Sequence, residues 1–302
     1  MLFVACTPEE FTASMSGVQD FSLRILLDED LPSQQANAST KVNGVAQPRY
    51  LVLLWRYEDE VHFAQTPDYC HIFTQPASTD SETTFTLSIL PGKYRLAVWM
   101  DWLGGDAGSG YELIDLGRAW LPAVFRAGER ARDAFAVVTD CEVSGTESNQ
   151  QTVTLHRPVA QLRIVAPEAL TFLTATGLDP SQLRATLRYP DPIPDGYDML
   201  SGTTGSTRAG VVLSGTPRID ASGELVFISD FLFFPGTAES VSVEFTLTDA
   251  SGRELIVKAG DIPLRGGHKT TVVFDKLCSG DYASDGIGIQ NGFDDEIEIT
   301  LD

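Results

Sequence analysis

The stretch FSLRILLD puts Phe21, Leu23, Ile25 and Leu27 on alternate positions. Successive strand side chains point to opposite faces, so a period of two predicts a strand with one apolar face. TTFTLSILP repeats the pattern with Phe85, Leu87 and Ile89, and KYRLAVWMDW repeats it with Tyr94, Leu96, Val98 and Met100. The Pro91–Gly92 step between these two predicts a hairpin or a corner between sheets. RYLVLLWRY (49–57) is apolar at both sets of alternate positions, which predicts an interior strand. Further short extended stretches follow: ARDAFAVVTDCEV, QQTVTLHRP, QLRIVAP, LRATLRY, GVVLSG, LVFISDFLFFP, SVSVEFTLTD, ELIVKAG, KTTVVFDKL and EIEITLD. Gly, Pro, Asp and Ser separate them. Helical period is scarce, and PEALTFLTATG (167–177) matches it best. Many short strands spaced by turn residues predict an all-β protein built of β-sandwiches. The absence of βαβ alternation argues against a nucleotide-binding α/β domain.

At 302 residues the chain is long for one core, so two domains are expected. The boundary is placed near His156–Pro158, giving an N-terminal sandwich over 20–156 and a C-terminal one over 157–302. The formal charge of −21 removes the basic footprint that nucleic acid requires, and it opposes approach to anionic lipid. Solubility accounts for such a charge without any ligand.

Catalytic and cofactor patterns are missing from the sequence: GxSxG, HExxH, the phosphate-binding P-loop and the EF-hand do not occur. No cofactor, metal site or enzymatic activity is therefore expected. His62, His71, His156 and His268 are far apart and sit in no local motif. The Gly-rich GGDAGSG (104–110) reads as a loop, because a phosphate cradle needs a strand before it and a helix after it. The acids of SGDYASDGIGIQNGFDDEIEI fit no calcium-loop spacing and read as a solvated surface. Trp55 and Trp99 fall in strands and read as core. Trp102, beside the Gly-rich loop, is the candidate contact for a ligand such as a glycan. Asn37-Ala38-Ser39 has the form of a glycosylation sequon.

The chain opens MLFVACTPEEF. L-F-V-A-C has the form of a lipobox, with Cys6 as the residue to be acylated. On that reading residues 1–5 are the end of an export signal that starts upstream, and the polar, aperiodic 6–19 is a tether. An ordinary apolar N-terminus is the alternative.

Four stretches in order resemble the fimbrillin-like lipoproteins of Bacteroidales. They are LFVAC; LPGKYRLAVWMDWLG with YELIDLG and RDAFAVV; TLHRPVAQLRIVAP; and IPLRGGHKTTVVFDKL with GIGIQNGFDDEIEITLD. Gly266-Gly267 depart from the Arg-Asn-like residues expected at that turn. The resemblance implies two tandem transthyretin-like β-sandwiches with few short helices, held at the outer-membrane surface by lipid on Cys6. It implies a fimbrial or adhesin-like subunit, whose partners are other subunits and a host protein or glycan receptor. It also implies assembly by strand exchange after proteolysis, for which Arg49 is the candidate site. The displaced first strand would carry Phe21, Leu23, Ile25 and Leu27. The donor strand would carry Ile297, Ile299 and Leu301. Both stretches read equally as ordinary strands of their own sheets. A glycan-binding surface lipoprotein of a nutrient-uptake system, with Trp102 at its site, is the other reading of function.

Overall fold

The computed structural model describes residues 17–27, 47–75, 82–103, 110–113, 117–122, 133–167, 169–234, 236, 239–274 and, for the backbone alone, 296–301. In chain order the strands are β1 (Gln19–Leu27), β2 (Gln47–Arg56), β3 (Tyr69–Thr74), β4 (Glu82–Ile89), β5 (Gly92–Leu103), β6 (Arg118–Trp120), β7 (Phe135–Val143), β8 (Asn149–Leu155) and β9 (Val159–Ala166). After helix α1 (Ala169–Thr176) come β10 (Leu183–Arg188), β11 (Ile193–Asp198), β12 (Thr203–Arg208), β13 (Val212–Gly215) and β14 (Arg218–Ile219). The last five are β15 (Leu225–Phe233), β16 (Glu239–Asp249), β17 (Glu254–Leu264), β18 (Lys269–Phe274) and β19 (Glu296–Leu301). The protein is an all-β sandwich fold, and α1 falls where the helical period was found.

The described residues divide into two compact units. The chain passes from the first to the second between Arg157 and Pro158, returns for Gly196–Thr203, and then leaves again.

In the first unit, sheet β4-β1-β8 faces sheet β3-β2-β5-β7. The predicted alternation decides which residues meet. Phe21, Leu23, Ile25 and Leu27 of β1, Phe85, Leu87 and Ile89 of β4, and Tyr94, Leu96, Val98 and Met100 of β5 share one buried cluster. The Pro91–Gly92 step is a corner rather than a hairpin, because β4 and β5 belong to opposite sheets. The Tyr94 hydroxyl donates to the Leu90 carbonyl at 2.8 Å across that corner. Strand β2 lies between β3 and β5, and eight of its ten residues are buried, as an interior strand requires.

The second unit pairs sheet β13-β10-β16-β17 with sheet β14-β15-β9-β18-β19. Leu187, Phe245, Ile164, Val272 and Phe274 lie in its core with Phe172 of α1. Phe227 sits at the centre, 5.7 Å from the Phe245 ring, 5.9 Å from Phe274 and 6.1 Å from Phe172. Burying a Leu or Phe side chain contributes about 1.5–3 kcal/mol, so these rows supply most of the unit's cohesion.

The chain uses the tetrad Asp-Ala-Ser-Gly twice, at Asp220–Gly223 and Asp249–Gly252. Each aspartate oxygen accepts from the Ser backbone N–H two residues on, at 2.9 Å in both turns, and from the Ser hydroxyl at 2.5 Å. Gly223 and Gly252 take φ of 88° and 84°, left-handed values that suit glycine. The Gly266-Gly267 departure also has a physical cause. A Cβ on Gly266 would overlap the Phe234 carbonyl oxygen, and Gly267 has φ 73°.

The hydrogen bonds from Ser251 hold the Asp249 carboxyl below its ordinary range. At Asp220 burial pushes upward, but Ser222 and Arg163 outweigh it and the net direction is also down. A carboxyl whose pKa is lower in the folded state contributes stability above the unfolded value of about 3.9. That stability is lost as pH falls through the folded value. Denaturation midpoints are therefore expected to fall below about pH 4. An Asp220→Asn/Asp249→Asn variant should be less stable at neutral pH and show a flatter acid limb.

Candidate functional site

Strand β1 sits in the middle of its sheet. It runs antiparallel to β4, with Leu23 opposite Phe85, and parallel to β8, with Ile25 opposite Val153. Phe21, Leu23 and Ile25 are at most 1% exposed. Its other face carries Ser22, Arg24 and Leu26, and Arg24 pairs with Glu82 on β4 through bonds of 2.7 and 2.6 Å. The strand is thus both an ordinary sheet member and a keystone: without it β4 and β8 would have unpaired edges over an open apolar cleft.

Strand β19 runs parallel to β18, which is in turn parallel to β9. The register sets Ile297, Ile299 and Leu301 opposite Thr270, Val272 and Phe274. This makes β19 an edge strand beside an interior one.

Arg49, the candidate protease site, opens the stretch that predicts an interior strand. It is the third residue of β2, between Thr74 on β3 and Asp101 on β5. Its guanidinium grips Asp101 at both carboxylate oxygens, through Nε at 2.7 Å and through a second nitrogen, and donates to the Tyr111 carbonyl at 3.0 Å. Asp101 is fully buried, and burial raises its carboxyl above the ordinary range against the pull of Arg49. Arg49 is 9% exposed, and its strand has a neighbour on each side. The sequence contained no sign of this ion pair, because Arg49 and Asp101 are brought together only by the β2–β5 register.

Trp102 is half-buried and packs against the sandwich core, as Tyr69, Phe73 and Val137 also do. Trp55 and Trp99 are core residues, as expected. Cys6, the tether up to residue 16, the sequon, most of the Gly-rich loop and the acidic segment before residue 296 lie outside the described residues. Cys70 is disulfide-bonded, whereas Cys141 is a free, buried thiol pushed up to about 12 by burial. Among the described residues no group of three His, Cys, Asp or Glu is placed to hold a metal ion, and no helix is long and apolar enough to cross a membrane.

Residues 14–302 match a family described as a family of unknown function, DUF6562. The chain belongs to the DUF6562 family. No curated protein matches it. Solved structures similar to this DUF6562 chain include a "putative cell adhesion protein" of Bacteroides uniformis. That match has 12% identity and a TM-score of 0.48, and covers 86% of this chain and 93% of the other. A "putative adhesin" of Bacteroides thetaiotaomicron has 13% identity and a TM-score of 0.46, with 82% and 81% covered. The tip fimbrial protein Mfa3 of Porphyromonas gingivalis has 13% identity and a TM-score of 0.35, with 81% of each chain covered.

Removing one member of a buried ion pair strands the other, at a cost of about 3–5 kcal/mol. Arg49→Met in this DUF6562 chain is expected to lose that much in urea denaturation. Arg49→Met/Asp101→Leu should recover most of it, because no charge is then left buried.

Proposed function

We propose that this chain is an adhesin-like fimbrial subunit of the cell surface, anchored by lipid at Cys6 and assembled with other subunits by strand exchange. The observation that carries the reading is the placement of β1. A strand with four buried apolar residues fills a slot between two others, and its removal would create a groove of matching shape. The four stretches that resemble fimbrillin-like lipoproteins, in family order, support the same reading.

In this scheme the first strand leaves and an extended segment of the next subunit takes its place. Main-chain hydrogen bonds to β4 and β8 would supply affinity, and alternate apolar side chains would fill the pockets vacated by Phe21, Leu23, Ile25 and Leu27. The EIEITLD segment has the required form, with Ile297, Ile299 and Leu301 on alternate positions. The acids between them would stay in water.

Two experiments test separate parts of the proposal. Cells fed a radiolabelled fatty acid should label the wild-type protein and leave a Cys6→Ala protein unlabelled; label on the variant would overturn the anchor. Material isolated from the cell surface should form oligomers that resist dissociation in mild detergent. Ile297→Asp should abolish them while leaving the monomer folded by circular dichroism, and unchanged oligomers would rule out the last strand as donor.

A further inference from the structure

The β2–β5–β7 layer of the first unit has a second apolar face, pointing away from the sandwich core. Leu51, Leu53 and Trp55 of β2, with Ala97 and Trp99 of β5, lie on it and are all nearly fully buried. Two pieces far apart in the chain, among the described residues, contribute cover at Trp99. The first is Tyr111 with β6 and the residue after it, where Ala119 and Leu121 are buried. The Tyr111 ring meets Trp99 edge-on, with centroids 5.1 Å apart. The second is Gly196–Thr203, which follows a long stretch of the second unit.

This second piece is fitted in detail. Gly196, Tyr197 and Asp198 pair antiparallel with Trp120, Ala119 and Arg118. The Met199 N–H donates to the Gly117 carbonyl at 2.6 Å. The Tyr197 ring lies 5.6 Å from Trp99, and Met199 is 1% exposed. The Asp198 carboxylate then accepts from the N–H groups of Leu200 and Ser201 at 2.9 and 3.0 Å, turning the chain back. At Gly202, with φ 72°, a Cβ would stand 3.6 Å from Val138 and 3.7 Å from the Tyr197 hydroxyl. One strand thus serves two cores: Ile193, at the start of β11, is in the second unit's core, and Tyr197, near its end, covers Trp99 in the first.

We propose that Gly196–Thr203 is a closing strap: the first unit, although made first, reaches its finished state only when this later segment docks over Trp99 and β6. Until then the Trp99 face has only the cover that Tyr111 and β6 give it, on a chain that grows from its N-terminus. Contacts between segments so distant in sequence close late, because the loop between them must be ordered first.

Pulsed hydrogen exchange during refolding of the full chain, read by mass spectrometry, tests the order. Amides of β6 should gain protection together with 196–203, and after the sandwich strands β1, β4 and β5. Protection of β6 before 196–203 would overturn the proposal. At equilibrium, Tyr197→Ala in the full chain should speed exchange in β5 and β6 at least tenfold; a change confined to 193–208 would contradict the strap. If Tyr197→Ala fails to fold, the refolding order of the unaltered chain still decides.

Discussion

One constraint governs the first unit: its central sheet is apolar on both faces. A sheet with one wet face is closed by a single partner layer. A sheet dry on both faces must find two, and every buried polar group within it must be paired. The sandwich core supplies one cover through β1, β4 and β8. Tyr111, β6 and Gly196–Thr203 supply the other. Arg49 and Asp101 are acceptable in this setting because they satisfy each other, with the Tyr111 carbonyl accepting a further Arg49 bond. Their pairing fixes the β2–β5 register where a slip of one residue would exchange the two faces. The second unit repeats part of the logic, since Val165, Val226 and Val273 form a small buried cluster apart from its main core.

Much of this was legible in the sequence where the signal is local. The alternation in FSLRILLD and TTFTLSILP named both strands and the faces they bury. The doubly apolar RYLVLLWRY named the interior strand, and PEALTFLTATG named the helix. What escaped depends on partners distant in sequence. A Pro-Gly step looks alike in a hairpin and a corner, and only strand pairing separates them. The partner of Arg49 was hidden because nothing local reveals a carboxylate opposite it. The return of Gly196–Thr203 was also missed, although a clue was present. In YRLAVWM, Ala97 and Trp99 are apolar opposite an already apolar face, so a second cover had to exist. GYDMLSG, with Tyr197 and Met199 two apart before an Asp-anchored turn, was the piece to look for.

The candidate site follows from the same closure. A strand in the middle of a sheet is a larger structural commitment than one at its edge, since two neighbours lose partners when it goes. That makes β1 costly to remove and effective to replace: an incoming strand regains both ladders and a row of pockets at once. Arg24–Glu82 joins β1 to β4 on the outer face, where water screens an exposed ion pair and it contributes little. The resistance to its departure therefore lies in the apolar row beneath.

The most direct measurement of this account is a lock on β1. Ser22 and Thr86 face each other across the β1–β4 pair. Ser22→Cys/Thr86→Cys would tie the strand in place by a disulfide without touching the core. The account predicts that the oxidised protein stays monomeric under conditions where wild type assembles, and that a reductant restores assembly. Assembly of the oxidised, locked protein at the wild-type rate would contradict it.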